Sequence, residues 1–210
     1  TGTLTQNKMV VQEIFANDTI LRPSLDLQIP SSDIFLAMAL NNDAHSDTER
    51  GIVGDPTEVA LYVAAHEAGY DKHECAKLYP RIAEIPFDSD RKCMTTIHVT
   101  PQGQIVSYTK GAVEVLEEKA VGILKGETVS DDLSNLRRVH QKMAADGLRV
   151  LGMAMRKWAR MPADLSPENV ERDLILLGFV GMIDPPRKEA KDAITSSKTA
   201  GIIPTIITGD

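Results

Sequence analysis

Lys110-Gly111-Ala112 places a cation at the end of an apolar, β-branched stretch (Ile105 to Thr109) and follows it with two residues of almost no side-chain bulk. Such a step lets a ligand approach the backbone closely and keeps a positive charge beside it. A flat ring at the mouth and a phosphate further in would suit that arrangement; a surface lysine in an ordinary turn is the plainer reading. Thr208-Gly209-Asp210 closes another apolar run, Ile202 to Ile207, and in open α/β sheets ligands gather at the carboxyl ends of strands. Asp55, in Gly54-Asp55-Pro56-Thr57-Glu58, suits a helix N-cap, with Pro56 at the first helical position and Glu58 able to reach back. Phe87 lies in a turn between strands, where a ring can serve the core or a ligand. Arg149 opens a strand, exposed or turned to an anion. Metal and redox chemistry find no support: Cys75 and Cys93 form no Cys-x-x-Cys pair and read as buried thiols, and the five histidines have no ligand spacing.

The elements that must position these residues change character along the chain. Lys8 to Phe15 reads as a strand, Ser31 to Leu40 as a helix of imperfect period, and 41–54 as a polar loop. The Asp55 start opens a helix that stops at Gly69. From Arg81 to Lys110 the turns Pro86–Asp90 and Pro101-Gln102-Gly103 punctuate an antiparallel meander. Val113 to Lys119 and Asp131 to Ala145 follow as helices, and Val150 to Lys157 as a strand on which Met153 and Met155 serve packing. Leu174 to Ile183 is nearly continuously apolar, the pattern of a strand buried on both faces. With a helix at Arg187 to Ala200 and the run at 202–207 it suggests a βαβ unit with a parallel sheet. The expected class is α+β: an antiparallel sheet with flanking helices over 10–175, between two pieces of a parallel α/β domain at 1–9 and 176–210.

A net charge of −7, with basic residues scattered rather than striped, gives no surface for nucleic acid. No apolar run reaches the ~18–20 residues of a membrane helix. Thr1-Gly2-Thr3-Leu4-Thr5 and the Thr208-Gly209-Asp210 end both read as points inside a longer protein.

Four segments in order carry a resemblance: Thr1-Gly2-Thr3-Leu4-Thr5, Lys110-Gly111-Ala112, Asp184-Pro185-Pro186-Arg187 and Thr208-Gly209-Asp210. Together they resemble the P-type cation-transporting ATPases over the whole chain. There the signature Asp-Lys-Thr-Gly-Thr-Leu-Thr begins with the phosphorylated aspartate, which would stand two residues before Thr1. The resemblance implies a nucleotide-binding domain inserted in a haloacid-dehalogenase-like phosphorylation domain, ATP and Mg²⁺ as cofactors, and further phosphorylation, actuator and transmembrane domains as partners in the same chain. It implies a membrane-bound parent with this fragment, monomeric and itself inactive, on the cytoplasmic side. Carried over residue by residue, Phe87 would stack on adenine, where a ring contributes ~1–3 kcal/mol per base. Lys92, Lys110, Gly111 and Ala112 would line the nucleotide, Asp55 would accept from the adenine amino group, and Arg149 would reach the phosphates. Asp184 would sit near the hinge, Thr208, Gly209 and Asp210 near the aspartyl-phosphate, and the Thr1 carbonyl would help hold Mg²⁺. A second basic residue that some members carry at the position of Ser89 is missing, with Arg91 as the substitute. The absence of a His-Pro pair and the large insertion resemble the calcium- and sodium-pump branch. Two rival classes stand beside this one: a non-catalytic adenine-nucleotide or protein-binding module, and a haloacid-dehalogenase-type phosphatase.

Overall fold

Most strands of this chain belong to one sheet with helices on both faces; two short strands pair separately. The computed structural model describes residues 4–23 and 32–205. In chain order the elements are β1 (Val10–Ala16), β2 (Thr19–Leu21), α1 (Ser32–Leu40), the short pair β3 (His45–Asp47) and β4 (Gly51–Val53), α2 (Pro56–Glu67) and α3 (Lys72–Leu78). The meander β5 (Arg81–Asp88), β6 (Cys93–Val99) and β7 (Ile105–Gly111) comes next, then α4 (Val113–Glu118), β8 (Ala120–Lys125), β9 (Thr128–Ser130), α5 (Ser134–Ala145), β10 (Arg149–Trp158), α6 (Pro167–Val170), β11 (Leu174–Ile183) and α7 (Lys188–Thr199). The main path is β2-β1-β11-β10-β7-β6-β5, antiparallel throughout; β8 joins β11 in parallel and carries β9.

Two core clusters lie on opposite faces. One gathers α1 and α2 with Val106, Tyr108, Met153, Met155, Leu177 and Val180. The other gathers α4 and α5 with Phe15, Cys93, Ala154, Leu176 and Phe179. This arrangement explains the imperfect period of α1: Ile34, Phe35, Ala37, Met38 and Ala39 are all fully buried, so the helix is apolar all round.

It also corrects one expectation. Leu174–Ile183 does not open a parallel βαβ unit; it is a central strand of the antiparallel sheet, between β1 and β10. Helices on both faces give an antiparallel strand the same unbroken apolar run that parallel strands show, so the run reports burial and not strand direction. Ile202 to Thr205 form no strand, and 206–210 lie outside the described residues.

Within β11 the pairing with β10 skips Leu177: Met153 faces Gly178 and Ala154 faces Leu176. That is a bulge, and it falls where β11 changes its other neighbour from β8 to β1. Gly178 has φ +137°, and a Cβ there would stand 1.8 Å from the Phe15 carbonyl oxygen.

His98, on β6, is buried. Its Nδ1 lies 3.0 Å from the Tyr79 carbonyl and its Nε2 2.9 Å from Thr96 Oγ1. A carbonyl only accepts, so Nδ1 carries the proton and Nε2 accepts from the threonine. Burial pushes the imidazole pKa down to about 4. The unfolded chain therefore takes up this proton near pH 6.5 and the folded chain does not, so stability falls as pH drops from about 6.5 to 4, by up to roughly 3 kcal/mol. Urea midpoints across that range should show a smaller loss in His98→Gln than in the unaltered chain; equal slopes would rule the histidine out as the cause.

Candidate functional site

Strand direction collects the expected residues. In an up-and-down meander the end of β5, the start of β6, the end of β7 and the start of β10 share one rim. The register places Asp88 opposite Cys93, Cys93 opposite Gly111, and Gly111 opposite Gly152. Phe87, Lys92, Lys110, Gly111 and Ala112 therefore lie along that rim, and Arg149 stands exposed three residues beyond Gly152. Phe87 is 65% exposed, so it is not a core residue. It stands on β5 itself, just before the turn at 89–92 and not in that turn, and nothing in packing requires an exposed phenyl ring there.

Lys92 takes a left-handed conformation, φ +51°, and ends the turn. Its carbonyl accepts from Ala112 N at 3.1 Å. A Cβ on Gly111 would stand 2.5 Å from that same carbonyl. The small residue of Lys110-Gly111-Ala112 thus admits the protein's own β5–β6 turn, where the motif suggested an approach by ligand.

Lys110 points inward on the α1 and α2 face. Its ammonium donates to the Asn41 carbonyl at 2.8 Å and forms an ion pair with Glu58 in the first turn of α2. Burial lowers its pKa, and Glu58 opposes that shift. Two further cations hold the carbonyls at the end of α1 and just beyond it. Lys72 donates to the Asn42 and Ala44 carbonyls, and Arg81 donates to those of Leu40 and Asn42. The last carbonyls of a helix have no partner within it, and positive side chains satisfy both their lone pairs and the helix dipole.

Asp55 caps α2, accepting from Thr57 N at 2.8 Å. Its neighbour Glu58 reaches Lys110 and accepts from Asp43 N at 3.1 Å. Glu58 belongs to the motif at Asp55 but is not singled out by it. The signal lay in its first-turn position, three residues after the cap, on a helix whose start faces the end of α1.

Arg91 does not stand in for the missing basic residue at Ser89. Its guanidinium is bound to Glu171 at 2.5 Å and to the Pro86 carbonyl at 2.6 Å. Asp184 lies at a separate place, where the chain enters and leaves the sheet. It accepts from Thr5 Oγ1 at 2.6 Å and Lys8 N at 3.2 Å. Arg187 donates from its backbone to the Leu4 carbonyl and from Nε to that of Thr5, both at 2.8 Å. The Thr5 hydrogen bond holds the Asp184 carboxyl below the usual range. Thr1, Thr208, Gly209 and Asp210 lie outside the described residues. Among the described residues no cluster of His, Cys, Asp and Glu suits a metal ion, and no helix is long and apolar enough to cross a membrane.

The fold and rim define a sheet domain entered and left through one clasp of two chain segments, with a cationic, aromatic-tipped edge suited to a flat anionic ligand. Residues 31–189 match the P-type ATPase cytoplasmic domain N. The whole chain is 40% identical over 216 residues to the calcium-transporting ATPase 1 of Bacillus cereus and 37% identical over 215 residues to that of Lactococcus lactis. It is 34% identical over 238 residues to the cation-transporting ATPase pma1 of Synechocystis. This chain belongs to the P-type ATPases and carries their cytoplasmic domain N. It spans about a quarter of the length of these relatives, 24%, 24% and 26% respectively.

Proposed function

We propose that this domain binds ATP at the rim formed by Phe87, Lys92, Lys110, Gly111, Ala112 and Arg149. In this reading Phe87 stacks on adenine, Glu58 and the Lys110 stem line the base, and Lys92 and Arg149 meet the phosphates. Asp55 is left with the helix cap. The observation that carries the reading is the convergence of an exposed phenyl ring, Phe87, and two exposed cations, Lys92 and Arg149, on one rim where packing does not call for them.

In the parent protein the bound nucleotide would donate its γ-phosphoryl group to an aspartate two residues before Thr1. The Asp184 clasp would be the joint with the phosphorylation domain, to which residues 1–9 and those after Ile183 would belong as the parallel, haloacid-dehalogenase-like piece. Thr208, Gly209 and Asp210 would face the aspartyl-phosphate there, and the Thr1 carbonyl would hold Mg²⁺, the ion that neutralises developing phosphate charge. Hydrolysis would then drive a cation across a membrane from the cytoplasmic side. Calcium is the first candidate, because two of the relatives are named for it.

Without partner-domain contacts, ATP should bind this chain weakly, with Kd on the order of 0.1 to several mM. NMR titration with ATP, ADP and GTP tests the site. Shifts centred on Phe87, Lys92, Lys110 and Arg149, stronger for ATP than GTP and reduced in Lys110→Ala, are expected. A folded chain that shows none with adenine nucleotides would favour a protein-binding module instead.

A further inference from the structure

The rim turn has a support that no ligand contact requires. Glu171, just after α6, has a fully buried side chain. One carboxylate oxygen accepts from Arg91 at 2.5 Å and from Thr95 Oγ1 at 3.2 Å; the other accepts from Cys93 Sγ at 3.2 Å and Lys119 at 3.3 Å. Three of these donors, Arg91, Cys93 and Thr95, are on or just before the start of β6, and the fourth, Lys119, ends α4. Cys93 packs in the α4 and α5 core, whereas Lys110 turns to α1 and α2 on the other face. Glu171 therefore acts from behind the sheet.

Arg91 relays it. The guanidinium bridges Glu171 to the Pro86 carbonyl, one residue before Phe87. The rest of the turn is knitted to the same frame: Asp88 Oδ1 accepts from Asp90 N and Arg91 N, and Lys92 N donates to the Asp88 carbonyl at 2.7 Å. A buried carboxylate costs a great deal unless paired and hydrogen-bonded. Mere stability does not call for it, since an apolar residue of similar volume often serves a core equally well. A charge-assisted, two-oxygen anchor fixes direction, which dispersion contacts do not.

We propose that Glu171 is a positioning residue for the nucleotide site: through Arg91 it sets the conformation of the β5–β6 turn and with it the placement of Phe87 and Lys92. The proposal rests on the ATP-binding reading of that rim. It assigns Arg91 to the scaffold and leaves Lys92 and Arg149 as the rim cations that face phosphate.

Three variants of the 210-residue chain test it: Glu171→Gln, Arg91→Gln and the double variant, with Leu21→Ala in β2, at the other end of the sheet from β5 and in the other core cluster, as a control that loses stability away from the turn. Two readouts are taken on folded samples, the amide shifts of 86–93 without nucleotide and the ATP affinity. Glu171→Gln should move the turn resonances and weaken ATP by about tenfold, the size of one lost hydrogen bond read as affinity. Arg91→Gln should do the same, and the double variant should be no worse than either single one. Leu21→Ala should leave both readouts alone. Unmoved turn resonances, or full ATP affinity in Glu171→Gln, would overturn the proposal while the unaltered chain still binds. An unaltered chain that does not bind ATP would overturn the nucleotide reading and this one with it.

Discussion

Gly178→Ala should remove about 3–5 kcal/mol of folding stability, the sum of a strained backbone and an overpacked contact. That is a large share of the 5–15 kcal/mol a domain typically has. The methyl group would fall 1.8 Å from the Phe15 carbonyl, which is backbone and cannot swing aside. The dihedral, φ +137°, compounds it, because side chains avoid that region. Relief would require β1 to leave the bulge, and β1 contributes Ile14 and Phe15 to opposite cores. Gly126→Ala is the comparison. It also has a positive φ, +63°, but nothing lies within 4 Å of its added Cβ. It should cost only about 1–2 kcal/mol, the left-handed penalty alone. Urea unfolding of both variants separates clash from dihedral; equal losses would mean that β1 does not approach β11 as described.

Glu58→Ala should cost about 3–5 kcal/mol, because it strands the Lys110 ammonium in a buried place. The side chains of the pair are only 10% and 14% exposed. Burial already lowers the Lys110 pKa, and Glu58 is the main opposing influence. A lysine whose folded pKa lies below its unfolded one binds fewer protons when folded, so stability rises with pH through that interval. Removing Glu58 extends the interval downward. The deficit of the variant should therefore be greatest at neutral pH and shrink towards pH 10, where the unfolded chain also loses the proton. Glu58→Leu combined with Lys110→Met should recover most of the loss, since apolar replacements of buried pairs are often neutral. That double variant should fold well and yet fail to bind ATP. If it binds normally, the pair is scaffold only.

Much of the placement of the candidate site was legible because it is local. Pro56 and Asp55 announce α2, and turn residues mark the β5-β6-β7 meander, so the rim follows from counting strands. Glu58 and Glu171 were not legible in the same way. Each is one acidic residue among many, and its role depends on which distant cation it meets: Lys110, 52 positions away, or Arg91, 80 positions away. The short elements escaped for a related reason. α3 and the β8–β9 hairpin have no strong period of their own, and β2 is only three residues long. Its turn was nonetheless written in the chain, at Asn17-Asp18, both with positive φ. Strand direction in β11 was not encoded locally at all, because burial on both faces erases the alternation that would have marked it.

The pairing of β1 with β11 has a consequence in time. Val10 meets Ile183, so the second residue follows the first by 173 positions. At synthesis rates of ~5–20 residues per second, β1 leaves the ribosome roughly 10–35 s before the strand that completes it. For that interval its free edge is a template for the wrong neighbour. The hairpin with β2 covers one side at once, and Glu13, next to Gln12, sets a charge in the middle of the strand. A nascent chain with Glu13→Val would keep its destination but lose this guard on the way, and should accumulate in aggregates during synthesis.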